Sequence, residues 1–318
     1  MRGAPSKDSS LQKQKVRLVK VSHSLNKSTL ALVVLILIWG SCWSIYKTAL
    51  VYMPPLLFSG LRSLLGGIIL TAFLIPKWDR LKWRQNWVIY TVSALINTVL
   101  YYGVQGIGLN LLPGGLFSVL VYFQPILVGV FAWLWLGEKM TVFKVVGLLI
   151  GFGGIVILSA DGFTGAISMF GVILGLLSAA SWAFGVIVVK KTSHKVDAMW
   201  IVALPSIIGG VILTGAGSIV ESWTSIEWNG YSLFGLGYGA TLGIPLAFVI
   251  YYALVNNGEA SKVASFTFLV PLTAVLIGTL WMDEPFTYNL LTGLVLIIVS
   301  IYLVNSKRKV NPEVQTGQ

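Results

Sequence analysis

Apolar runs of about the length needed to cross a bilayer recur along the whole chain, with little between them. They occupy 29–51, 55–75, 87–108, 114–136, 142–159, 168–190, 197–219, 231–255, 261–281 and 286–304. A hydrocarbon core about 30 Å thick needs roughly 20 helical residues to cross, so each run is expected to be one transmembrane helix. Backbone groups in lipid must be paired internally, and these lengths suit helices rather than the ~10-residue strands of a barrel. The expected fold class is an all-α integral membrane protein of ten transmembrane helices. Only 10% of the 318 residues are charged, against about 25% in a soluble domain, which excludes a soluble globular enzyme. The single cysteine, Cys42, lies inside an apolar run and excludes a disulfide scaffold.

A net charge of +11 would suggest nucleic acid in a soluble protein. Here the placement of the charge is topological, and no nucleic-acid partner is expected. Seven of the 22 Lys and Arg fall in the first 27 residues. With the N-terminus inside, the cytoplasmic segments collect 20 of the 22 and the outer connections none, as the positive-inside rule requires. The exceptions, Lys47 and Arg62, lie within runs. Both termini are therefore expected in the cytoplasm of a multi-pass cell-membrane protein, with the 76–86 and 190–197 loops inside and the 159–168 and 219–230 loops outside. The first run is too long for a signal-peptide core and is expected to stay.

The halves of the chain repeat one another. At an offset of 143, Trp39 matches Trp182, Lys47 matches Lys190, and Gly66-Gly67 matches Gly209-Gly210. At 146, Pro125 matches Pro271, Glu138 matches Glu284, Thr141 matches Thr287, and Gly147 matches Gly293. Five runs per half is an odd number, so the second half must be inverted in the membrane. Inverted repeats are the usual construction of secondary transporters. The expected organisation is a basic tail (1–28), a first five-helix repeat (29–159), a second (160–304) and a C-terminal tail (305–318).

The same residues resemble the EamA-type branch of the drug/metabolite transporter superfamily. The resemblance is carried by Trp39-Gly40-Ser41 with Lys47, Leu61-Arg62 with Gly66-Gly67, Gln124-Pro125, and Gly137-Glu138 with Thr141 and Gly147, echoed at Glu284, Thr287 and Gly293. It covers about 29–305 and implies two inverted five-helix repeats that move small metabolites, often outward. Cys42 and Trp43 depart from the small polar residue typical after Trp-Gly-Ser.

Polar groups inside spans are costly and usually face the bundle interior. Asn97, Tyr101 and Gln105 follow at i, i+4 and i+8, one helical face, and are expected either to line a path or to bond between helices. Ser118 and Tyr122 share a face, and Gln124 precedes Pro125, where a proline breaks the backbone ladder. Pro271 repeats this break, and Pro245 adds another beside Tyr251 and Tyr252. Trp43 and Trp182 lie inside spans and are expected either to pack between helices or to form aromatic walls of a cavity. Two readings stand for Lys47 and Arg62: attraction of a carboxylate-bearing cargo, or a structural role, snorkelling to the surface or binding carbonyls at helix ends as the repeat mate Lys190 could do. Glu138 with Thr141, and Glu284 with Thr287, are expected to be structural turns with Thr as helix cap.

The expected function is a secondary transporter of small, amino-acid-like or otherwise carboxylate-bearing metabolites, in the export direction, by alternating access. The alternatives are a membrane sensor or scaffold and a membrane-embedded enzyme. An enzyme would need a buried acid pair, a nucleophile with its base, or a metal cluster, yet His23 and His194 lie in cytoplasmic segments. No phosphate-cradling loop with a Lys-Ser/Thr pair occurs. No catalytic residue, cofactor or metal is expected. The partners expected are a small-molecule substrate and the lipid bilayer, with no particular oligomeric state.

Overall fold

Long apolar stretches without a regular polar face can satisfy their backbone only by coiling into helices, and the chain does so throughout. The structure, a computed structural model, describes residues 7–112, 114–158, 160, 168–281 and 287–306, with side chains from Ser28 onward apart from scattered positions such as Ser118. Among the described residues there is no strand. We label the apolar helices α1 (Lys7–Leu50), α2 (Pro55–Leu74), α3 (Trp83–Leu109), α4 (Gly114–Val121 and Gln124–Leu136), α5 (Val142–Leu158) and α6 (Met169–Thr192). The rest are α7 (Trp200–Val220), α8 (Gly230–Asn257), α9 (Ala260–Ser265 running through a 3-10 turn into Leu269–Trp281) and α10 (Tyr288–Asn305). Seven, α1–α4 and α6–α8, are long and apolar enough to cross a membrane; the described apolar stretches of α5, α9 and α10 are shorter.

Packing follows a permutation. The two most extensive contacts are α2 on α7 and α5 on α10. α1 packs on α8 and α9, and α6 packs on α3 and α4; α2 meets α8, and α7 meets α3. Shifting every helix by five places maps α2–α7 and α5–α10 onto themselves and exchanges the other pairs among one another. The α2–α7 seam is built on glycine: a Cβ at Gly67 would meet the Ala203 carbonyl at 2.8 Å, and one at Gly210 the Leu64 Cα at 2.7 Å. Small residues let helix backbones approach where lipid gives no hydrophobic drive to pack.

The helices break at related places. α4 is interrupted between Val121 and Gln124, just ahead of Pro125, and α9 at Phe266–Phe268, just ahead of Pro271. α3 and α8 each contain a π-helical stretch, Ala94–Leu100 and Gly239–Leu246, the latter holding Pro245. Such bulges often mark functional sites. At each end of the bundle a carboxylate closes the start of a distant helix. Glu221, after α7, accepts from the Leu56 and Leu57 N–H groups of α2 at 2.9 and 2.8 Å. Glu138, after α4, accepts from Ala260 N–H of α9 at 2.6 Å.

Candidate functional site

One face of α1 supplies the first wall of a cavity. Trp39, Cys42, Trp43, Tyr46 and Leu50 recur at helical spacing and line it together. α2 adds Phe58, Ser59 and Arg62, α3 adds Tyr101, Tyr102 and Gln105, and Tyr122, Trp182 and Phe248 complete it. The space measures about 650 Å³, its open mouth included. Its lining reaches Leu50 and Leu109, at the end of the bundle that carries the 51–54 connection.

Arg62 is the charge in this space. It does not snorkel: the residue is 3% exposed. Its guanidinium carbon lies 4.4 Å from the Tyr46 ring centroid and 4.5 Å from that of Tyr102, with Phe58 at 5.3 Å. Cation–π contacts of this kind contribute about 0.5–2 kcal/mol each, which offsets part of the cost of burying the charge. Nε has no hydrogen-bond partner among the described residues, and no carboxylate there forms an ion pair with Arg62. Lys47, the residue after Tyr46 and so on another face of α1, is exposed and does not line the cavity.

The cavity floor is aromatic. Trp182 packs edge-on against Trp39 at 5.4 Å and tilted on Tyr101 at 5.5 Å, and Tyr251, fully buried behind the lining, lies 5.2 Å from Trp39. Trp43 Nε1 donates to the Tyr122 hydroxyl at 3.1 Å, tying α1 to the α4 break. The fully buried Gln124 amide donates to the Tyr251 hydroxyl at 3.4 Å, and its Oε1 has no partner among the described residues.

The expected α3 stripe is divided. Tyr101 and Gln105 line the cavity and meet through a Gln105 Nε2 to Tyr101 hydroxyl bond of 3.3 Å. Asn97 lies in the π-helical turn, whose extra residue rotates it off the i, i+4 face. It lines a smaller neighbouring cavity of about 270 Å³ with Thr98, Ser206 and Tyr252. Ser118 and Glu284 lie outside the described side chains, and Thr287 precedes α10. Sequence reasoning missed Tyr46, Phe58, Tyr102 and Phe248 as lining residues; the α1 periodicity was the available signal for Tyr46.

Glu138 extends further than a local turn. Thr141 does cap α5, accepting from Lys144 N–H at 3.3 Å. Glu138, however, reaches α9, where it binds the Ala260 and Ser261 backbone and the Ser261 hydroxyl at 2.5 Å. It also lies 3.7 Å from both Lys144 and Lys190. Lys144 bonds Glu259 at 2.6 Å, and Lys262 bonds it at 2.7 Å. Lys190 donates to the Val255 and Gly258 carbonyls. Burial pushes the Glu259 carboxyl up, but the hydrogen bonds from Lys144 and Lys262 outweigh it and hold the group below the usual glutamate range. Its pairing is therefore fully present at neutral pH and is lost as pH falls through that lowered value. This cluster sits at the bundle end opposite the cavity mouth.

The residues around this site match the EamA-like transporter family model twice, over 26–160 and 169–306. The chain belongs to the EamA-like transporter family. It is 47% identical over 291 residues to the uncharacterized transporter YvbV of Bacillus subtilis, covering 92% of this chain and 95% of that one. It is 28% identical over 295 residues to the uncharacterized inner membrane transporter YedA of Escherichia coli, covering 90% and 95%. A crystal structure 18% identical in sequence superposes with a TM-score of 0.76 over 88% of this chain and 96% of that one, a likeness of fold. This EamA-like chain is a multi-pass membrane protein for transport of small solutes, built as two repeats.

Glycine sets the width of this family member's cavity. A Cβ at Gly243 in the α8 π-turn would run into the Tyr46 hydroxyl and come within 3.2 Å of Cys42 Sγ. Overpacking of this kind costs typically about 1–3 kcal/mol. Gly243→Ala is expected to lower the unfolding temperature in detergent. Gly237→Ala, where nothing lies within 4 Å, is expected to leave it unchanged; equal behaviour of the two would contradict the packing account.

Proposed function

We propose that this chain is a secondary transporter that exports small carboxylate-bearing solutes, amino-acid-like ones among them, across the cytoplasmic membrane. It does so by alternating access between two inverted halves, 29–159 and 160–304, with ten crossings and both termini in the cytoplasm. The observation that carries the reading is the buried guanidinium of Arg62 in an open cavity, without a carboxylate partner among the described residues. A buried charge is costly unless it is paired, and a cargo carboxylate would pair it bidentately, as the planar fork of arginine favours. The aromatic floor of Trp39, Trp182 and Tyr101 would hold the remainder of the cargo.

Alternating access needs one end closed while the other is open. The cavity mouth lies at one end, and at the other the Glu138–Lys144–Lys190–Glu259 cluster joins α4, α5 and α6 to α9, acting as the inner gate. Broken helices beside the cavity, at Pro125 and in the two π-turns, give the halves places to bend.

Energy comes from exchange or from the charge of the cargo in the membrane potential, about 2.3 kcal/mol per charge per 100 mV. The described lining residues include neither carboxylate nor histidine, which supports a cycle with no obligatory proton relay. The test uses proteoliposomes loaded with unlabelled amino-acid hydrolysate and offered the radiolabelled mixture with membrane potential clamped. Uptake above that of protein-free liposomes is expected to persist when a protonophore removes the pH gradient. Uptake that vanishes with the gradient would overturn the coupling reading.

A further inference from the structure

The α2–α3 connection carries features that transport does not use. Its sequence, Ile75-Pro76-Lys77-Trp78-Asp79-Arg80-Leu81-Lys82-Trp83-Arg84, interleaves four cations with tryptophan. Trp78 and Trp83 are 57% and 45% exposed. Together with Leu81, Lys82, Arg84, Gln85 and Leu204 of α7 they line a surface cavity of about 1160 Å³, open to the exterior. The cavity is thus framed by two helices.

This loop is held in place. Tyr90 hydroxyl donates to the Leu81 carbonyl at 2.8 Å, and Trp200 Nε1 to the Lys77 carbonyl at 3.2 Å. Trp83 stacks on Tyr90 at 6.1 Å, and Trp78 meets Trp200 edge-on at 5.5 Å. Lys82 sits in the left-handed region, with φ of 45°, a conformation that costs energy in a non-glycine residue and collects at ligand clamps. Arg80 pairs with Asp197 at 3.7 Å. Lys77, Lys82 and Arg84 form no ion pair among the described residues.

The repeat supplies an internal comparison. The corresponding α7–α8 connection also carries two tryptophans, Trp223 and Trp228, but its charges are Glu221 and Glu227, without Lys or Arg. Interfacial tryptophans are common to both loops, while the cations belong to the first alone.

We infer that the cavity between the α2–α3 connection and α7 binds the headgroup of an anionic phospholipid. Lys82 and Arg84 contact the phosphate, and Trp78, Trp83 and Leu204 hold the upper acyl chains. Basic pockets between helices at a membrane surface take such headgroups, and the aromatic side chains match the boundary between headgroup and hydrocarbon.

The test is thermal unfolding of the full chain in detergent with added phosphatidylglycerol or phosphatidylcholine, with native mass spectrometry of the retained lipid. Phosphatidylglycerol is expected to raise the unfolding temperature more than phosphatidylcholine and to survive as a bound adduct. The Lys82→Gln/Arg84→Gln double variant should lose that increment and the adduct. Lys139→Gln/Lys191→Gln, which removes the same charge from other exposed positions, should retain both. Equal stabilisation by the two lipids, or equal loss in both double variants, would overturn the proposal.

Discussion

Arg62→Gln is expected to weaken cargo binding severely while leaving the empty protein as stable as before. An arginine kept for architecture would be paired, and breaking a buried pair costs about 3–5 kcal/mol. Arg62 has ring contacts from Tyr46 and Tyr102 but no carboxylate partner among the described residues, so removing its charge also removes its desolvation cost. Loss of a charge-assisted contact to a cargo carboxylate is worth about 2 kcal/mol or more, or about 30-fold in affinity. Arg62→Lys keeps the charge but loses the planar group held between two rings, and it should not restore full affinity. Uptake kinetics and unfolding temperature, measured on the same preparations, decide the matter. A large fall in stability with unchanged uptake would return Arg62 to a structural role.

Glu138→Ala is expected to open the other end of the bundle. It removes the cap on α9 and leaves the Ala260 and Ser261 N–H groups without an acceptor, while Lys144, 5% exposed, keeps only Glu259 as an acidic partner. The combined loss is about 3 kcal/mol, the low end for a broken buried pair, because the Lys144–Glu259 bond survives. Val186 is fully buried one turn before Lys190 and reports on the gate. In a Cys42→Ala background, Val186→Cys should resist a membrane-impermeant maleimide applied from the cytoplasmic side. Adding Glu138→Ala should raise its labelling several-fold and lower the unfolding temperature. Unchanged labelling and unchanged stability together would remove Glu138 from the gate.

The bilayer made much of this architecture readable in advance. Its thickness fixes helix length, and a proline such as Pro125 or Pro271 cannot continue the backbone ladder, so both breaks were legible from residue type. The burial of Arg62 was half legible: an intramembrane arginine without an acid in reach has few options, but its cage needed Tyr46 and Tyr102, set on two different helices. The face of Asn97 was illegible, because no residue type signals a π-turn, and one extra residue in the turn changes which cavity a side chain meets. The reach of Glu138 to Ala260 was equally hidden. The contact spans 122 positions of sequence, and the local signal, Thr141 three residues on, pointed to a turn that also exists.

The central claim is that Arg62 recognises a carboxylate in a cavity that opens alternately to each side. Counterflow in proteoliposomes tests it most directly, with radiolabelled amino acids compared with the matching amino-acid amides, which differ only in lacking the carboxylate. The account predicts that unlabelled acids inside accelerate uptake of labelled acids, that amides do neither, and that Arg62→Gln removes the difference. Amides exchanging as fast as the acids, or the Arg62→Gln protein discriminating as well as the wild type, would contradict it.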